Sequence, residues 1–233
     1  MANAQSATMD TAHPGEIKVW DLFVRVFHWT VAIGFFIAYI TEDLITVHVW
    51  VGYVIGALVV LRIVWGFIGP KHARFTDFLF SPFKILSYTA GLLTFRRGEH
   101  YVGHSPAGAG MVFALLVGLL VITASGLMLH AIEHNAGPLA GVVSAGPADT
   151  VGGMAAGERE GAYGEDEEHE GGAYGEREHE GGEELWEEVH EVAANLVLIL
   201  VLVHIAGVML ASFVHNENLT RGMITGRKRD TEA

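Results

Sequence analysis

Four histidines lie in or beside long apolar stretches of the sequence, where leucine would be the usual residue: His28, His48, His190 and His204. An ionisable side chain inside a membrane is costly, so it usually marks a functional site that faces the interior of a helix bundle. His190 and His204 are fourteen residues apart, which is within ~40° of four full helical turns and spans ~21 Å along the axis. Both therefore lie on one helix face, and their spacing predicts two sites at two depths.

The apolar stretches that position these histidines are long enough to cross a membrane. They occupy residues 26–40, 47–69, 107–129 and 192–214. A helix needs about 20 apolar residues to cross ~30 Å of hydrocarbon, so the first stretch is expected to take in residues 20–25 as well. With 51% hydrophobic and 18% charged residues, the chain is too apolar for an ordinary soluble domain. We predict an all-α fold, an integral membrane four-helix bundle.

The charged residues are distributed unevenly between the connections. The loop at 70–106 has five Lys and Arg against two acidic residues, and four more Lys and Arg follow the last span. Residues 132–186 contain two arginines and fourteen Asp and Glu. By the positive-inside rule, the loop at 70–106 and both termini face the cytoplasm, and the long acidic loop faces outward.

The sequence divides into five segments. They are a polar leader (1–18), the first three spans (19–131), an acidic glycine-rich outer loop (132–185), the fourth span (186–216) and a basic tail (217–233). The leader lacks the apolar region of a signal peptide, so the amino terminus is expected to stay where it is made. Within the inner loop, Ser81-Pro82 predicts the start of a helix that lies in the membrane interface.

The outer loop contains a near-repeat, "GAYGEDEEHEGG" followed by "GAYGEREHEGG". Acidic, glycine-rich sequence buries too little apolar surface to offset its ordering entropy, so we expect disorder or loose structure. Three interpretations stay open for this loop. His169 and His179 bind a divalent metal, or the negative charge steers a positively charged soluble partner, or the loop is only a solvated surface.

Depth in the membrane pairs the four histidines across the bundle. His28 lies near the inner end of the first span, and His48 lies at the outer end of the second. His28 is therefore expected to face His204 on the inner side. His48 is expected to face His190 on the outer side. Two pairs of facing imidazoles suit two six-coordinate haems with two axial histidines each, because bundle cores commonly hold cofactors between facing helices.

Other uses of these histidines fit the sequence less well. The chain has no cysteine, which excludes disulfides, iron–sulfur clusters and covalent c-type haem attachment. No Asp, Glu or Cys lies in the middle of a span, which disfavours a zinc pair and a proton relay. A relay, or histidines that bond only to backbone or water, remain the alternatives.

Two arginines and a glycine could contact the same cofactors. Arg62 shares the helix face of His48 at the inner depth, and Arg25 lies one turn nearer the cytoplasm than the first histidine. Either guanidinium could bind a haem propionate or extend to the membrane surface. Gly52, one turn from His48, would admit a flat ring, and with Gly56 it also forms a small-xxx-small helix contact.

The remaining histidines are interpreted as peripheral. His130 and His134 end the third span on the outer side, and they extend to the surface or line a quinone or partner site. A further four lie in or near inner loops and are interpreted as interfacial: His72, His100, His104 and His215.

Several segments resemble one known family. They are "VWDLFVRVFHW", "VHVWVGYVIGALVVLRIVWGFIGPKHARFTDF", "YVGHSPAG" and "VHEVAANLVLILVLVHIAGVMLASFVHNENLTRGMITGRKR". In these the chain is similar to the bacterial cytochrome b561 family, which includes the b-type cytochrome subunits of nickel–iron hydrogenases. The resemblance covers about residues 17–132 and 185–229, and the long acidic loop departs from the family's short outer connection. It implies a multi-pass protein of the bacterial inner membrane with two haems b, whose axial ligands are His28, His48, His190 and His204.

The function that this resemblance implies is electron transport across the membrane. Electrons would pass between the quinone pool and a periplasmic redox partner, such as a soluble cytochrome c or a hydrogenase-like enzyme. One alternative is a self-contained quinone oxidoreductase that uses a small redox substrate such as superoxide. The other is a non-redox membrane protein that senses metal through its acidic loop. The expected partners are membrane lipid and quinone, and no binding to nucleic acid is expected. A homodimer is compatible with the sequence.

Overall fold

The computed structural model describes residues 16–94, 101, 103–144 and 172–229. Seven α-helices follow one another in this part of the chain: α1 (Leu22–Ile40), α2 (Ile45–Ile68), α3 (Pro82–Leu93), α4 (Pro106–His134), α5 (Ala140–Ser144), α6 (Gly172–His215) and α7 (Leu219–Thr225). Two short strands, β1 (Glu16–Lys18) and β2 (Arg227–Arg229), and two 3-10 turns accompany them. The leader before Glu16, His100 and the first copy of the acidic repeat, with His169, lie outside the described residues.

Four of these helices are long and apolar enough to cross a membrane: Leu22–Ile40, Ile45–Ile68, Pro106–His134 and Gly182–His215. Large apolar side chains on them, such as Phe67 and Phe213, are exposed at the surface of the protein. Such a surface is suited to lipid, and the helices satisfy their backbone hydrogen bonds internally, as a membrane requires. The prediction of an all-α membrane bundle with four spans is confirmed.

Helix α3 begins where the sequence predicts. The Ser81 hydroxyl accepts a hydrogen bond from the Lys84 N–H at 3.4 Å, and Pro82 occupies the first turn, where it has no N–H to lose. Helix α6 differs from expectation because it begins at Gly172, within the second copy of the acidic repeat. The segment extends the fourth span as helix instead of forming a loose connection, although its four glycines disfavour a helix.

The described residues group into two compact units. The first comprises those of Met1–Ala32, Val60–Ala114 and Val201–Ala233, and the second comprises those of Ile33–Val59 and Leu115–Leu200. Each unit contains one of the two predicted histidine pairs.

The core of the first unit lies where the two ends of the described chain meet. Val19, Trp20, Val24 and Ala73 are buried there. Beside this core, β1 pairs with β2 in an antiparallel ribbon, with Glu16 opposite Arg229, Ile17 opposite Lys228 and Lys18 opposite Arg227. The ribbon could not be predicted from the sequence, because three residues are too few to show the alternation that indicates a strand.

Asp21 fixes the start of helix α1. One of its carboxylate oxygens accepts a hydrogen bond from the Val24 N–H at 3.0 Å, which satisfies a free donor of the first turn. The other accepts from the Trp65 indole N–H at 3.3 Å. The same aspartate therefore caps α1 and ties it to α2.

Gly226 ends helix α7 in the left-handed conformation, with a φ of 81°. Its carbonyl oxygen accepts hydrogen bonds from the N–H groups of Val19 at 2.9 Å and Trp20 at 3.1 Å. A Cβ atom at this position would lie 2.7 Å from the Trp20 carbonyl oxygen. Glycine is required here both by the backbone conformation and by the close approach of the chain.

We expect Gly226→Ala to lower the free energy of unfolding by about 2 kcal/mol, because a left-handed residue with a Cβ costs ~1–2 kcal/mol and the clash adds to it. The thermal midpoint of the protein in detergent, followed by helical circular dichroism, measures the change. Gly91→Ala on α3 is the matched control, since a Cβ there meets no atom within 4 Å. Equal midpoints for the two variants would contradict the role given to Gly226.

Small residues bring the helices of the second unit into contact. A Cβ atom on Gly56 of α2 would lie 2.6 Å from Cγ2 of Thr123 on α4. A Cβ atom on Gly118 of α4 would overlap the side chain of Val197, which is buried on α6. The helices that hold the second histidine pair are thus fixed by close backbone packing, as in other membrane bundles.

Candidate functional site

The first unit places His28 and His204 next to each other, with their rings in an edge arrangement. His28 comes from α1 and His204 from α6, and their ring centres are 6.3 Å apart with an angle of 60° between the planes. Both rings are half-buried. Nδ1 of His28 is buried and has no hydrogen-bond partner among the described residues. The structure therefore brings together the two histidines that depth in the membrane paired on the inner side.

The second unit places His48 of α2 opposite His190 of α6. Their ring centres are 6.0 Å apart and their planes are inclined by 71°. This is the pair that the sequence assigned to the outer side. The two pairs thus repeat one arrangement, in which two imidazoles from different helices face each other across a narrow gap.

The gap in each pair matches the space that a ligated metal requires. A metal–imidazole bond is about 2.0 Å long and a ring centre is ~1.2 Å from its nitrogen, so two imidazoles on opposite sides of one ion have centres ~6.4 Å apart. Within the part of the chain that the structure describes, no group of three or more His, Cys, Asp or Glu could hold a metal. The pairs therefore fit a metal whose other ligands come from a prosthetic group better than they fit a zinc ion.

Hydrogen bonds fix the tautomer of the second pair. Nδ1 of His48 lies 2.9 Å from the Ala38 carbonyl oxygen, and Nδ1 of His190 lies 3.1 Å from the Ile122 carbonyl oxygen. A carbonyl only accepts, so each Nδ1 carries the proton and donates it. The other ring nitrogen, Nε2, is then unprotonated, which is the form that ligates a metal.

The two carbonyl acceptors are available for different reasons. Ala38 lies in the last turn of α1, where its carbonyl oxygen accepts only a long bond from the Thr41 N–H at 3.3 Å and keeps a second lone pair for His48. Ile122 lies inside α4, and Ser125 beside it is buried with its hydroxyl 3.0 Å from Nδ1 of His190. That hydroxyl donates to the Val121 carbonyl oxygen at 2.8 Å, which leaves its lone pairs free to accept from His190.

Gly126 lets His190 approach helix α4. A Cβ atom on Gly126 would lie 3.0 Å from Cε1 and 3.3 Å from Nδ1 of His190. Without a side chain at this position, the imidazole packs on the helix backbone and reaches the Ile122 carbonyl. Gly126 and Ser125 have no signal in the sequence, because the contact joins two helices that are distant in the sequence and neither residue type is unusual in a membrane span.

The two glycines that the sequence singled out on α2 have different surroundings. A Cβ on Gly52 would meet no atom within 4 Å, whereas a Cβ on Gly56 would collide with Thr123. Gly56 is therefore the helix contact of the small-xxx-small motif. Gly52 borders open space one turn from His48.

Arg62 is buried, with 3% of its surface exposed. Its guanidinium carbon lies 5.2 Å from the centre of the Phe75 ring, and its Nη1 has no hydrogen-bond partner among the described residues. A buried cation is costly unless an anion pairs with it. Arg25 is different, because its Nη2 donates to the Ile224 carbonyl oxygen at the end of α7, although its Nε is buried and has no described partner.

His104 is more enclosed than the interfacial position that the sequence suggested. Its ring lies 4.5 Å from that of Trp20 and 4.2 Å from that of Phe78, and its Nδ1 is buried with no hydrogen-bond partner among the described residues. Burial, followed by the charges of Arg62 and Lys228, lowers the pKa of His104 to about 3. The imidazole is therefore neutral at physiological pH.

His130 and His134 form a separate aromatic group at the end of α4. Their ring centres are 5.2 Å apart, and His130 is 6.2 Å from the ring of Tyr53. His134 is more exposed and lies 3.6 Å from the Glu133 carboxylate. The structure brings no further metal ligand to this group within the described residues.

The four spans also match the model of a known family. A model of prokaryotic cytochrome b561 matches residues 19–226, which include all four spans and both pairs. The chain belongs to the prokaryotic cytochrome b561 family. A cytochrome b561 is a membrane protein that binds b-type haem and takes part in electron transfer. No curated protein and no solved structure matches this member of the cytochrome b561 family.

Proposed function

We propose that this protein is a dihaem electron carrier, in which His28 and His204 bind one haem b and His48 and His190 bind the other. The observation that carries the proposal is the pair of facing imidazoles in each unit, with ring centres 6.3 Å and 6.0 Å apart. Each haem, when bound, would supply a one-electron iron couple, and both histidines of a pair would be engaged in holding it. The chemistry is therefore electron transfer rather than oxygen binding.

The protein's own task is to hold, orient and insulate these cofactors. The hydrogen bonds from His48 and His190 to backbone carbonyls keep Nε2 free and make each imidazole a more basic ligand. The open space beside Gly52 accommodates the edge of a flat ring. Arg62 offers a buried positive charge to a haem propionate. Arg25 offers its buried Nε to the same class of group.

We infer that the electrons cross the bacterial inner membrane between the quinone pool and a redox partner on the outer face, a soluble cytochrome c or a hydrogenase-like enzyme. The basic residues at 70–106 and after the last span support cytoplasmic termini. The acidic residues at 132–185 support an outer surface that attracts a positively charged protein. Family membership supports electron transport in a membrane.

Counting haem in the purified protein tests the proposal. The haemochrome assay, referred to protein concentration, should give two haems b per chain, with low-spin six-coordinate spectra in both oxidation states. A short-chain quinol should reduce them under anaerobic conditions. One haem per chain, or a high-spin iron with an open position, would contradict the assignment of four axial histidines.

A further inference from the structure

Arg62 and His104 present two buried nitrogen atoms that have no hydrogen-bond partner among the described residues, Nη1 and Nδ1. Both residues belong to the first unit, which also contains His28 and His204. A buried donor without an acceptor costs ~1–3 kcal/mol, and more when it is charged. The charge of Arg62 acts on His104, so the two side chains are near enough for one ligand to accept hydrogen bonds from both.

The protein's own carboxylate near Arg62 is already engaged. Asp21 is the acidic residue whose charge acts on Arg62. Its two oxygens accept hydrogen bonds from the Val24 N–H and the Trp65 indole N–H. Asp21 thus offsets part of the charge of Arg62 without bonding to Nη1, and a further anionic oxygen can be accommodated.

One wall of aromatic side chains connects His104 to Arg62. The His104 ring packs on Phe78, whose ring centre is 5.9 Å from that of Phe75, and Arg62 lies over Phe75. Phe78 is 1% exposed, so this wall is rigid core rather than surface. The nearby cation Lys228 is engaged elsewhere, since its amine donates to the Tyr101 carbonyl oxygen at 3.4 Å. Arg62, whose charge Asp21 offsets only in part, and a neutral His104 that carries its proton on Nδ1 would together offer donors to one anionic group.

We propose that Arg62 and His104 together bind one carboxylate of the haem held by His28 and His204, with the guanidinium and Nδ1–H of the imidazole as donors. This inference rests on the proposed function. A single carboxylate matches the site in charge and in the number of oxygens, and charge-assisted hydrogen bonds of this kind are among the strongest in proteins. His104 acts here as a positioning residue, which fixes the cofactor and lowers the negative charge that the iron experiences.

The test uses the purified holoprotein with Arg62→Met, which nearly keeps side-chain volume, and His104→Phe, which keeps a flat ring. Each substitution removes the donor. The propionate bending band in the resonance Raman spectrum should shift for one haem and stay unchanged for the other. In Arg62→Met, the ratio of reduced to oxidised iron at a fixed potential should fall about tenfold for that haem, which is ~59 mV for a one-electron couple. In His104→Phe the same ratio should fall by a smaller factor.

Two substitutions serve as controls: Arg74→Met and His72→Phe. Arg74 is exposed and donates to the Gly69 carbonyl oxygen, and His72 pairs with Asp77 at 3.0 Å near the surface. Neither should alter the band or the potential. If Arg62→Met loses the haem, the same measurements are made on Arg62→Lys and His104→Gln. These variants keep a donor, so they should shift the propionate band less than His104→Phe does.

Three results would overturn the proposal. The first is that both haems retain unchanged propionate bands and potentials in the Arg62 and His104 variants. The second is that the variants lose a co-purified anionic lipid, found by mass spectrometry, while the haem spectra stay the same. The third is that the shifted band belongs to the haem that His48→Ala removes. None of these outcomes affects the count of two haems per chain. A parent protein without haem would instead reject the proposed function itself.

Discussion

His204→Ala is expected to lose one of the two haems and to keep the other. Alanine provides no nitrogen for the iron, and His28 alone can supply only one axial ligand to that haem. The haem content per chain should fall by about half, and the remaining haem should keep its low-spin six-coordinate spectrum. Haemochrome analysis and electron paramagnetic resonance of the purified variant measure both quantities.

Three companion variants make this result specific. His28→Ala should give the same spectrum as His204→Ala, and the double variant should lose nothing further, because residues that act as one unit are not additive. His215→Ala is the matched control on the same helix, since Nε2 of His215 lies 3.1 Å from the Tyr88 hydroxyl. Two haems with unaltered low-spin signals in His204→Ala would reject this pair as ligands.

The second large effect is expected from Gly126→Val, which should remove the haem assigned to His48 and His190. The added Cβ would already approach Cε1 of His190 to 3.0 Å, and the branched methyl groups need still more room. The imidazole would be displaced from helix α4 and would lose its hydrogen bond to the Ile122 carbonyl oxygen at 3.1 Å. Displacement of ~1 Å is enough to disable a preorganised site.

The measurement is the haem content and the α-band of Gly126→Val compared with Ala124→Val. Ala124 is two residues away on the same helix and is exposed, so its substitution changes bulk without contact to His190. Gly126→Ala should give an intermediate result, with the haem retained but its potential and low-spin signal altered. Full haem content and parental spectra in Gly126→Val would show that close packing on α4 does not position His190.

The pairing of the four histidines could be predicted because it depends on quantities that the sequence contains. The length of each span, its direction and the 3.6-residue period give the depth and face of every histidine. His190 and His204 could then each be paired with the one histidine of another span that lies at the same depth. The structure brings His48 to His190 and His28 to His204, in agreement with this reasoning.

The surroundings of those histidines could not be predicted, because they are formed by residues from other helices. Gly126 and Ser125 matter only because α4 packs against His190, and neither has a local sequence signal. His104 was interpreted as interfacial from its place in a polar loop, yet the rings of Trp20 and Phe78 enclose it. Such contacts between distant segments depend on tertiary packing, which periodicity does not encode.

The ribbon of β1 and β2 has a consequence for how the chain is threaded through the bilayer. Residues 16–18 are hydrogen-bonded to residues 227–229, so the start and the end of the described chain must emerge on one side of the lipid. The conclusion that both ends lie on one side follows from backbone pairing alone and does not depend on how lysines and arginines are distributed between the loops. Reporters fused to either end must therefore reside in the same compartment, and a chain cut before residue 227 leaves its opening segment without a strand to hold it.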